Sequence, residues 1–138
     1  MIVIDSSALI KLLITEKDSE HAIEVFQSIT GKGEQLLAPD IIFSEVMNGM
    51  WKHNVLLKDV SEKKLEIARE SLVMAYADLE LSKATELAED AIKIGTKHRV
   101  TFYDSLYVAL SISTDAQLFT FDKYLIGKAK EIGFEVLN

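Results

Sequence analysis

Four acidic residues sit beside apolar runs at four separate points of this chain: Asp5 after Met1-Ile-Val-Ile4, Glu45 in Ile42-Phe-Ser-Glu-Val46, Asp104 in Thr101-Phe-Tyr-Asp-Ser105, and Asp122 after Leu118-Phe-Thr-Phe121. Carboxylates drawn within a few Å of one another repel by roughly 1 kcal/mol per pair in water and about 4 at a surface-like dielectric. A hard divalent cation reverses that cost. Oxygen-only ligation suits Mg²⁺ or Mn²⁺, which keep several waters and meet phosphates, whereas zinc prefers His and Cys.

Each acid also has a plainer explanation. Asp5 and Asp122 are in position to cap helices, a role Asp favours. Thr101-x-x-Asp104 resembles a capping box with Asp in place of Glu or Gln, and an acid in a first helical turn complements the helix dipole. Glu45 has the option of a solvated helix face. Taken together the four are harder to dismiss, because Ile2-Val-Ile4, Ile41-Ile-Phe43, Leu106-Tyr-Val-Ala-Leu110 and Leu118-Phe119 are core-like. An acid embedded in such a run is expected to be partly buried, and a buried charge requires partners or a metal. Glu62, Glu66, Glu70, Glu86 and Glu89 lie instead on ordinary helix faces.

The elements that must position the acids alternate between strand-like and helical patterns, the signature of an α/β domain with a largely parallel sheet. Residues 2–4 read as a strand running into Asp5-Ser-Ser7, whose side chains can cap the next helix. Ala22, Val25, Phe26 and Ile29 have helical spacing behind a cap at Asp18 or Ser19, and Gly31-Lys-Gly33 turns the chain into a strand over 35–38. Pro39 precedes a helix over about 40–53 with Asp40 as its start signal. Helices follow over about 61–77 and 83–98, with a short Leu79-Glu-Leu81 run between them, and Thr101 starts another. Residues 118–121 read as a buried strand, followed by a helix over about 124–132, Gly133 and a last strand over 134–137. Loops after the strands of such a sheet collect at its carboxyl edge, where open α/β sheets bind ligands. Asp5 and Asp122 are expected on that edge, with Glu45 and Asp104 delivered to it by helices.

At 138 residues with 49% hydrophobic composition, the chain is of a size for one domain, 1–138, able to bury a core. Having no Cys, it cannot build a disulfide framework, a thiolate zinc site or a cysteine nucleophile. No apolar run approaches the ~20 residues that span a bilayer, and no leader precedes the first strand, so a cytoplasmic protein with no membrane partner is expected. The net charge of −7 argues against a general nucleic-acid coat protein. It leaves a nuclease open, since metal ions at an acidic cluster supply local positive charge. Lys11, Lys97, Arg99, Lys123, Lys128 and Lys130 lie near the motif segments and are candidate phosphate contacts, with solvated surface lysines as the plainer alternative. His21, His53 and His98 share no ligand spacing. The chain has no phosphate-cradling glycine loop and no nucleophile elbow. Trp51 and Tyr103 have the option of stacking on bases, though core or interface packing is the commoner use of such residues.

Val3-Ile-Asp-Ser-Ser-Ala-Leu9, Ser44-Glu-Val-Met-Asn48, Tyr103-Asp-Ser-Leu-Tyr-Val-Ala-Leu110 and Phe119-Thr-Phe-Asp-Lys123, in this order, make the chain resemble a PIN-domain ribonuclease, and most closely the VapC-like toxins of toxin and antitoxin pairs. The resemblance implies a small three-layer α/β/α sandwich with a mainly parallel central sheet. It implies metal-binding acids at Asp5, Glu45, Asp104 and Asp122, with Ser7 and Thr120 contributing hydroxyls and Asn48 a polar position one helical turn past Glu45. It further implies Mg²⁺- or Mn²⁺-dependent hydrolysis of RNA, a homodimer, and an antitoxin protein whose tail covers the site. Leu65, Leu72, Tyr76, Met47, Met50 and Trp51 are candidates for partner surfaces or, equally, for core. A phosphoacceptor receiver would carry adjacent acids after the first strand, and an Asp-nucleophile phosphatase a second Asp at position 7, which is Ser. A non-catalytic PIN-like module that binds RNA or protein remains the alternative.

Overall fold

The computed structural model describes all residues, 1–138. Five parallel strands, β1 (Ile2–Ile4), β2 (Leu36–Pro39), β3 (Glu80–Ser82), β4 (Gln117–Phe119) and β5 (Val136–Leu137), form one sheet in the order β3-β2-β1-β4-β5. Seven α-helices complete it: α1 (Ser6–Leu13), α2 (Ser19–Gly31), α3 (Ile42–Trp51), α4 (Glu62–Asp78), α5 (Ala84–His98), α6 (Phe102–Thr114) and α7 (Lys123–Ile132). One helical layer has α1 packed on α2, α3 and α4; in the other, α6 lies on β1, β2 and β4 with α5 beside it and α7 against α5. The result is the expected α/β/α sandwich.

The sheet forms where it does because β1 is apolar throughout and covered on both faces, as central parallel strands require. Ile2, Val3 and Ile4 are 6%, 0% and 0% exposed. They head a core of 25 buried residues that takes in Leu37 and Ala38 of β2, Leu118 and Phe119 of β4, and Tyr107, Val108 and Leu110 of α6. Strand order reverses direction between β1 and β4, the switch point at which open α/β sheets form a crevice. The register there puts Ile4 beside Phe119, and the Asp5 amide continues the ladder by donating to the Phe119 carbonyl at 3.1 Å.

The structure departs from the sequence reading at several boundaries. Strand β2 runs one residue later than expected and includes Pro39, whose missing N–H falls at the last strand position. Asp40 does not start its own helix, which begins at Ile42. Its Oδ1 instead accepts from the Ala84 amide at 3.0 Å, capping α5 from a distant part of the chain. The helix expected to end near residue 53 continues past α3 as a wide π-helical segment, Lys52–Leu57, until Lys58 turns left-handed at φ 55°. Strand β4 stops at Phe119, leaving Thr120 and Phe121 as the passage into α7. The segments proposed for partner contact are divided: Met50 and Leu72 are 0% exposed core, whereas Trp51 is 49% exposed.

Helices α5 and α6 cross closely because Gly95 has no side chain. A Cβ there would stand 2.8 Å from the Val100 carbonyl oxygen and 3.0 Å from Ser105 Oγ, whose hydroxyl is committed to Thr101 O at 2.7 Å. Alanine normally favours a helix interior over glycine by roughly 0.5–1 kcal/mol. At this contact the overpacking cost of about 1–3 kcal/mol is the larger quantity. Gly95→Ala is therefore expected to lower stability in urea denaturation, and Gly127→Ala, where a Cβ meets nothing within 4 Å, to raise it. Equal and positive effects at both positions would refute the close crossing.

Candidate active site

Asp5 leaves the sheet at the end of β1 and becomes the N-cap of α1. Its Oδ1 accepts from the Ala8 amide at 2.9 Å and the Ser7 hydroxyl at 2.7 Å, and its Oδ2 accepts from the Thr120 hydroxyl. The side chain is only 3% exposed. Ser7 joins the two strand ends, its oxygen accepting from the Phe121 amide at 2.9 Å. Thr120 Oγ1 accepts in turn from the Asp122 amide at 3.0 Å. Asp122 is the N-cap of α7, with Oδ1 accepting from Tyr124 and Leu125 amides at 2.7 and 2.9 Å. Thus the capping reading of both Asp residues holds, and it fixes their orientation at the switch point.

The other two acids come from helices. Glu45 lies in the first turn of α3, and its Oε2 accepts from the Tyr107 hydroxyl of α6. Asp104 lies in the first turn of α6, where Thr101 both caps the helix, accepting from the Asp104 amide at 3.1 Å, and donates its hydroxyl to Asp104 Oδ2 at 2.6 Å. A true capping box would use the Thr101 amide as the donor. Tyr107 is the participant that sequence reading left in the core. It is 1% exposed, and only its position three residues after Asp104, on the same helical face, pointed toward the site.

Burial and neighbouring charge act together on three of the four acids. Burial pushes the Asp5 carboxyl up to about 6 against its three hydrogen bonds, with a further push from the charge of Asp122. Burial also raises Glu45, offset by the Tyr107 hydrogen bond and reinforced by the charges of Asp104 and Asp5. Asp104 is raised by burial and then by Asp122, against the hydrogen bond from Thr101. Glu45 therefore senses two of the other acids, Asp104 and Asp5, while Asp5 and Asp104 each sense Asp122. They do not stand as a closed ligand set: no three carboxylates or imidazoles lie close enough together to hold a metal ion as arranged. Mutual repulsion opposes closer approach, and each carboxylate is held by hydroxyl or amide donors from its own surroundings. Glu45, Asp104 and Asp122 nevertheless use only one oxygen each in these hydrogen bonds. The donor chemistry is all oxygen, which fits Mg²⁺ or Mn²⁺.

A cleft of about 240 Å³ opens beside Glu45, lined by Ser6, Ser7, Asn48, Gly49 and Lys52. Asn48 is exposed on its rim. A larger cleft of about 410 Å³, lined by Ser111, Asp115, Gln117 and Glu135, lies at the opposite end of β4, away from the acids. Of the candidate phosphate contacts, Lys11 is engaged with Glu16 at 2.7 Å and the Lys17 carbonyl at 2.8 Å, and Lys128 with Glu131 at 2.8 Å.

A parallel five-stranded sandwich with acids following β1 and β4 and in the first turns of α3 and α6 defines a class of small α/β domains. The chain belongs to the PIN domain family, whose model matches residues 2–131. It is 32% identical over 130 residues to ribonuclease VapC3 of Pyrobaculum aerophilum, spanning 92% of this chain and 93% of that protein. Its fold matches Mycobacterium tuberculosis VapC20, a sarcin-ricin loop cleaving toxin, with a TM-score of 0.72 at 15% identity over 100% of this chain and 99% of that one. It also matches a chain of a toxin-antitoxin complex from Klebsiella pneumoniae, with a TM-score of 0.64 at 18% identity over 92% of each chain.

Two outcomes follow from the site's electrostatics. The Asp5 carboxyl titrates near 3.8 in the absence of its folded surroundings and near 6 within them, so the native state holds the proton more tightly. Its contribution to stability is fully present below about 3.8 and is lost as pH rises through about 6. In buffer free of divalent cations, Asp5→Asn should abolish that part of the fall and be more stable than the parent at pH 7.5, by on the order of 3 kcal/mol. An Asn variant less stable than the parent at that pH would contradict burial as the dominant cause. Tyr107→Phe, which removes the hydrogen bond that lowers Glu45, should move the Glu45 titration upward in carboxyl NMR; a downward move would exclude that bond.

Proposed function

We propose that this chain is a Mg²⁺- or Mn²⁺-dependent endoribonuclease, acting in the cytoplasm as the toxin component of a toxin-antitoxin pair. The observation that carries the reading is that acids from four separate elements, Asp5, Glu45, Asp104 and Asp122, are each held by hydroxyl or amide donors, with Asp5, Glu45 and Asp104 raised by burial and by the charge of neighbouring acids. Sequence identity of 32% with a ribonuclease supports the same activity, and likeness to a chain of a toxin-antitoxin complex supports an antitoxin partner.

In this reading Asp5 and Asp104 are the central metal ligands, and Glu45 and Asp122 complete the shell directly or through water. A bound divalent cation supplies an acidified water as nucleophile and positive charge against the scissile phosphate and its leaving oxygen. The chain's residues do the rest. Ser7 and Thr120 hold both oxygens of Asp5 in one orientation, so ligation requires no reorganisation of that side chain. Tyr107 holds Glu45 through Oε2. As an outer carboxylate whose proton affinity burial raises, Glu45 is suited to take the proton of the attacking water. Homodimer and antitoxin contacts fall to exposed apolar surface, of which the groove of about 350 Å³ lined by Met47, Trp51, Leu65 and Arg69 is one part.

The decisive experiment incubates the purified chain with total RNA in Mg²⁺ or Mn²⁺, with and without chelator, and maps the cut sites. Cleavage should require the metal. Asp5→Ala and Asp104→Ala should each lower it by roughly 100-fold or more while circular dichroism stays unchanged. Unchanged cleavage in both variants would sink the assignment. Metal binding by calorimetry without any cleavage would favour a non-catalytic PIN-like module.

A further inference from the structure

Three large aromatic side chains stand in the open next to the acids. Tyr103 is 61% exposed, Tyr124 53% and Phe102 38%. Such surface is expensive to leave in water, and Tyr103 has neither the core nor an interface within the chain to account for it.

The three belong to one patch. Phe102 and Tyr103 immediately precede Asp104, and Tyr124 follows Asp122 by two residues. Phe102 and Tyr103 meet edge to face with centroids 6.2 Å apart, while Tyr124 is tied to the loop that enters α6 by its hydroxyl, which donates to the Arg99 carbonyl at 2.9 Å. Arg99 ends α5 in a left-handed conformation, φ 59°, and opens the loop that enters α6 at Phe102. The first turns of α6 and α7 thus each carry one acid and an exposed ring. Tyr103 and Asp104 each neighbour Tyr107 on α6, four and three residues before it. Side chains tilt toward a helix N-terminus, and Tyr103 stands at that end of α6, in the same turn as Asp104.

The chain's charge says what such rings are for. At a net −7 it lacks the electrostatic grip by which most nucleic-acid proteins hold phosphates, and Lys11 and Lys128 are already paired with Glu16 and Glu131. Stacking supplies affinity that does not depend on cations. We propose that Tyr103, backed by Phe102 and flanked by Tyr124, is a stacking platform for an unpaired RNA base adjacent to the phosphate that is cut, and that it sets part of the cleavage-site preference. The proposal rests on the ribonuclease reading for its substrate. It selects single-stranded RNA, because bases within an A-form duplex cannot be splayed onto a ring.

The test uses the full chain in two arms. In the binding arm, Asp5→Asn protein, which keeps the RNA from being cut, is titrated in Mg²⁺ against a fluorescein-labelled randomised single-stranded RNA of about 12 nucleotides, a length within the usual site sizes, and against a duplex of the same length, with anisotropy as the readout. In the cleavage arm, protein with native Asp5 cuts a randomised single-stranded pool in Mn²⁺ and the ends are sequenced. Adding Tyr103→Ala should weaken single-strand binding about tenfold and flatten the base preference at one position beside the cut, with circular dichroism unchanged. Tyr103→Leu should behave like alanine, Tyr103→Trp should retain binding, and Met74→Ala, a change at a 71% exposed residue of α4, should alter neither arm. Unchanged affinity and an unchanged base profile in Tyr103→Ala would overturn the proposal, as would equal losses on duplex and single strand. So would a Tyr103→Ala protein that binds RNA normally yet changes from dimer to monomer in gel filtration, which would make the patch a protein interface. If the native chain cuts no RNA while binding still falls with Tyr103→Ala, the platform stands and the ribonuclease reading fails.

Discussion

The pairing of β1 with β4 is the constraint from which the rest of the site follows. Residues 2–4 register against 117–119, so the two strands end level, and the residues that follow them emerge side by side. A register slip of one residue would turn every side chain of a strand to the opposite face. Strands apolar on both faces do not resist such a slip by themselves; the polar residues that follow them, Asp5 and Thr120, do. With the register set, Asp5 and Thr120 must meet, and their hydrogen bond links the first strand to a segment 115 residues away. Ser7 and the Phe121 amide repeat the link one step further out. Helix capping then does the remaining positioning: α1 starts on Asp5 and α7 on Asp122.

A buried carboxylate at that junction is a stored electrostatic cost. Three donors reach Asp5, and hydrogen bonds to a charged group contribute about 1.5–3 kcal/mol each, yet its carboxyl still titrates near 6. Desolvation therefore outweighs three charge-assisted bonds. Glu45 and Asp104 show the same balance more mildly, each with one hydroxyl donor working against burial. Conflict between a local arrangement and the stability of the fold marks functional sites in natural proteins. Here it falls on Asp5, Glu45 and Asp104, delivered by three different elements.

Much of this was legible in the chain, for physical reasons that differ by element. Strand β1 was readable because a continuous β-branched run has few alternatives, and Asp5 was readable because it breaks that run at its end. Asp104 and Glu45 were marked by apolar neighbours on every side. Boundaries set by distant contacts were not readable: Asp40 looks like a local helix start, and only the fold brings it under the first amide of α5. The π-helical continuation of α3 was hidden for a similar reason. Its His53 is buried between Glu16 at 2.9 Å and Asp59 at 2.9 Å, a tertiary arrangement with no periodicity of its own. Tyr107 was read as core, correctly as to burial, but its hydroxyl has a role that no hydropathy pattern encodes.

The same distinction separates Tyr107 from Tyr103, four residues earlier on the same helical face. Both are apolar-run tyrosines by sequence, and packing was the commoner expectation for each. Tyr107 meets β1 and the acids from inside, where an aromatic body fills the core and its hydroxyl must find a partner. Tyr103 lies in the first turn, past the reach of the sheet, so nothing in the chain covers it. The end of one helix thus presents an inner ring that steadies a carboxylate and an outer ring that meets solvent, with Asp104 between them. The position of Tyr103 is thereby a consequence of where α6 begins, and α6 begins where Thr101 caps it and holds Asp104.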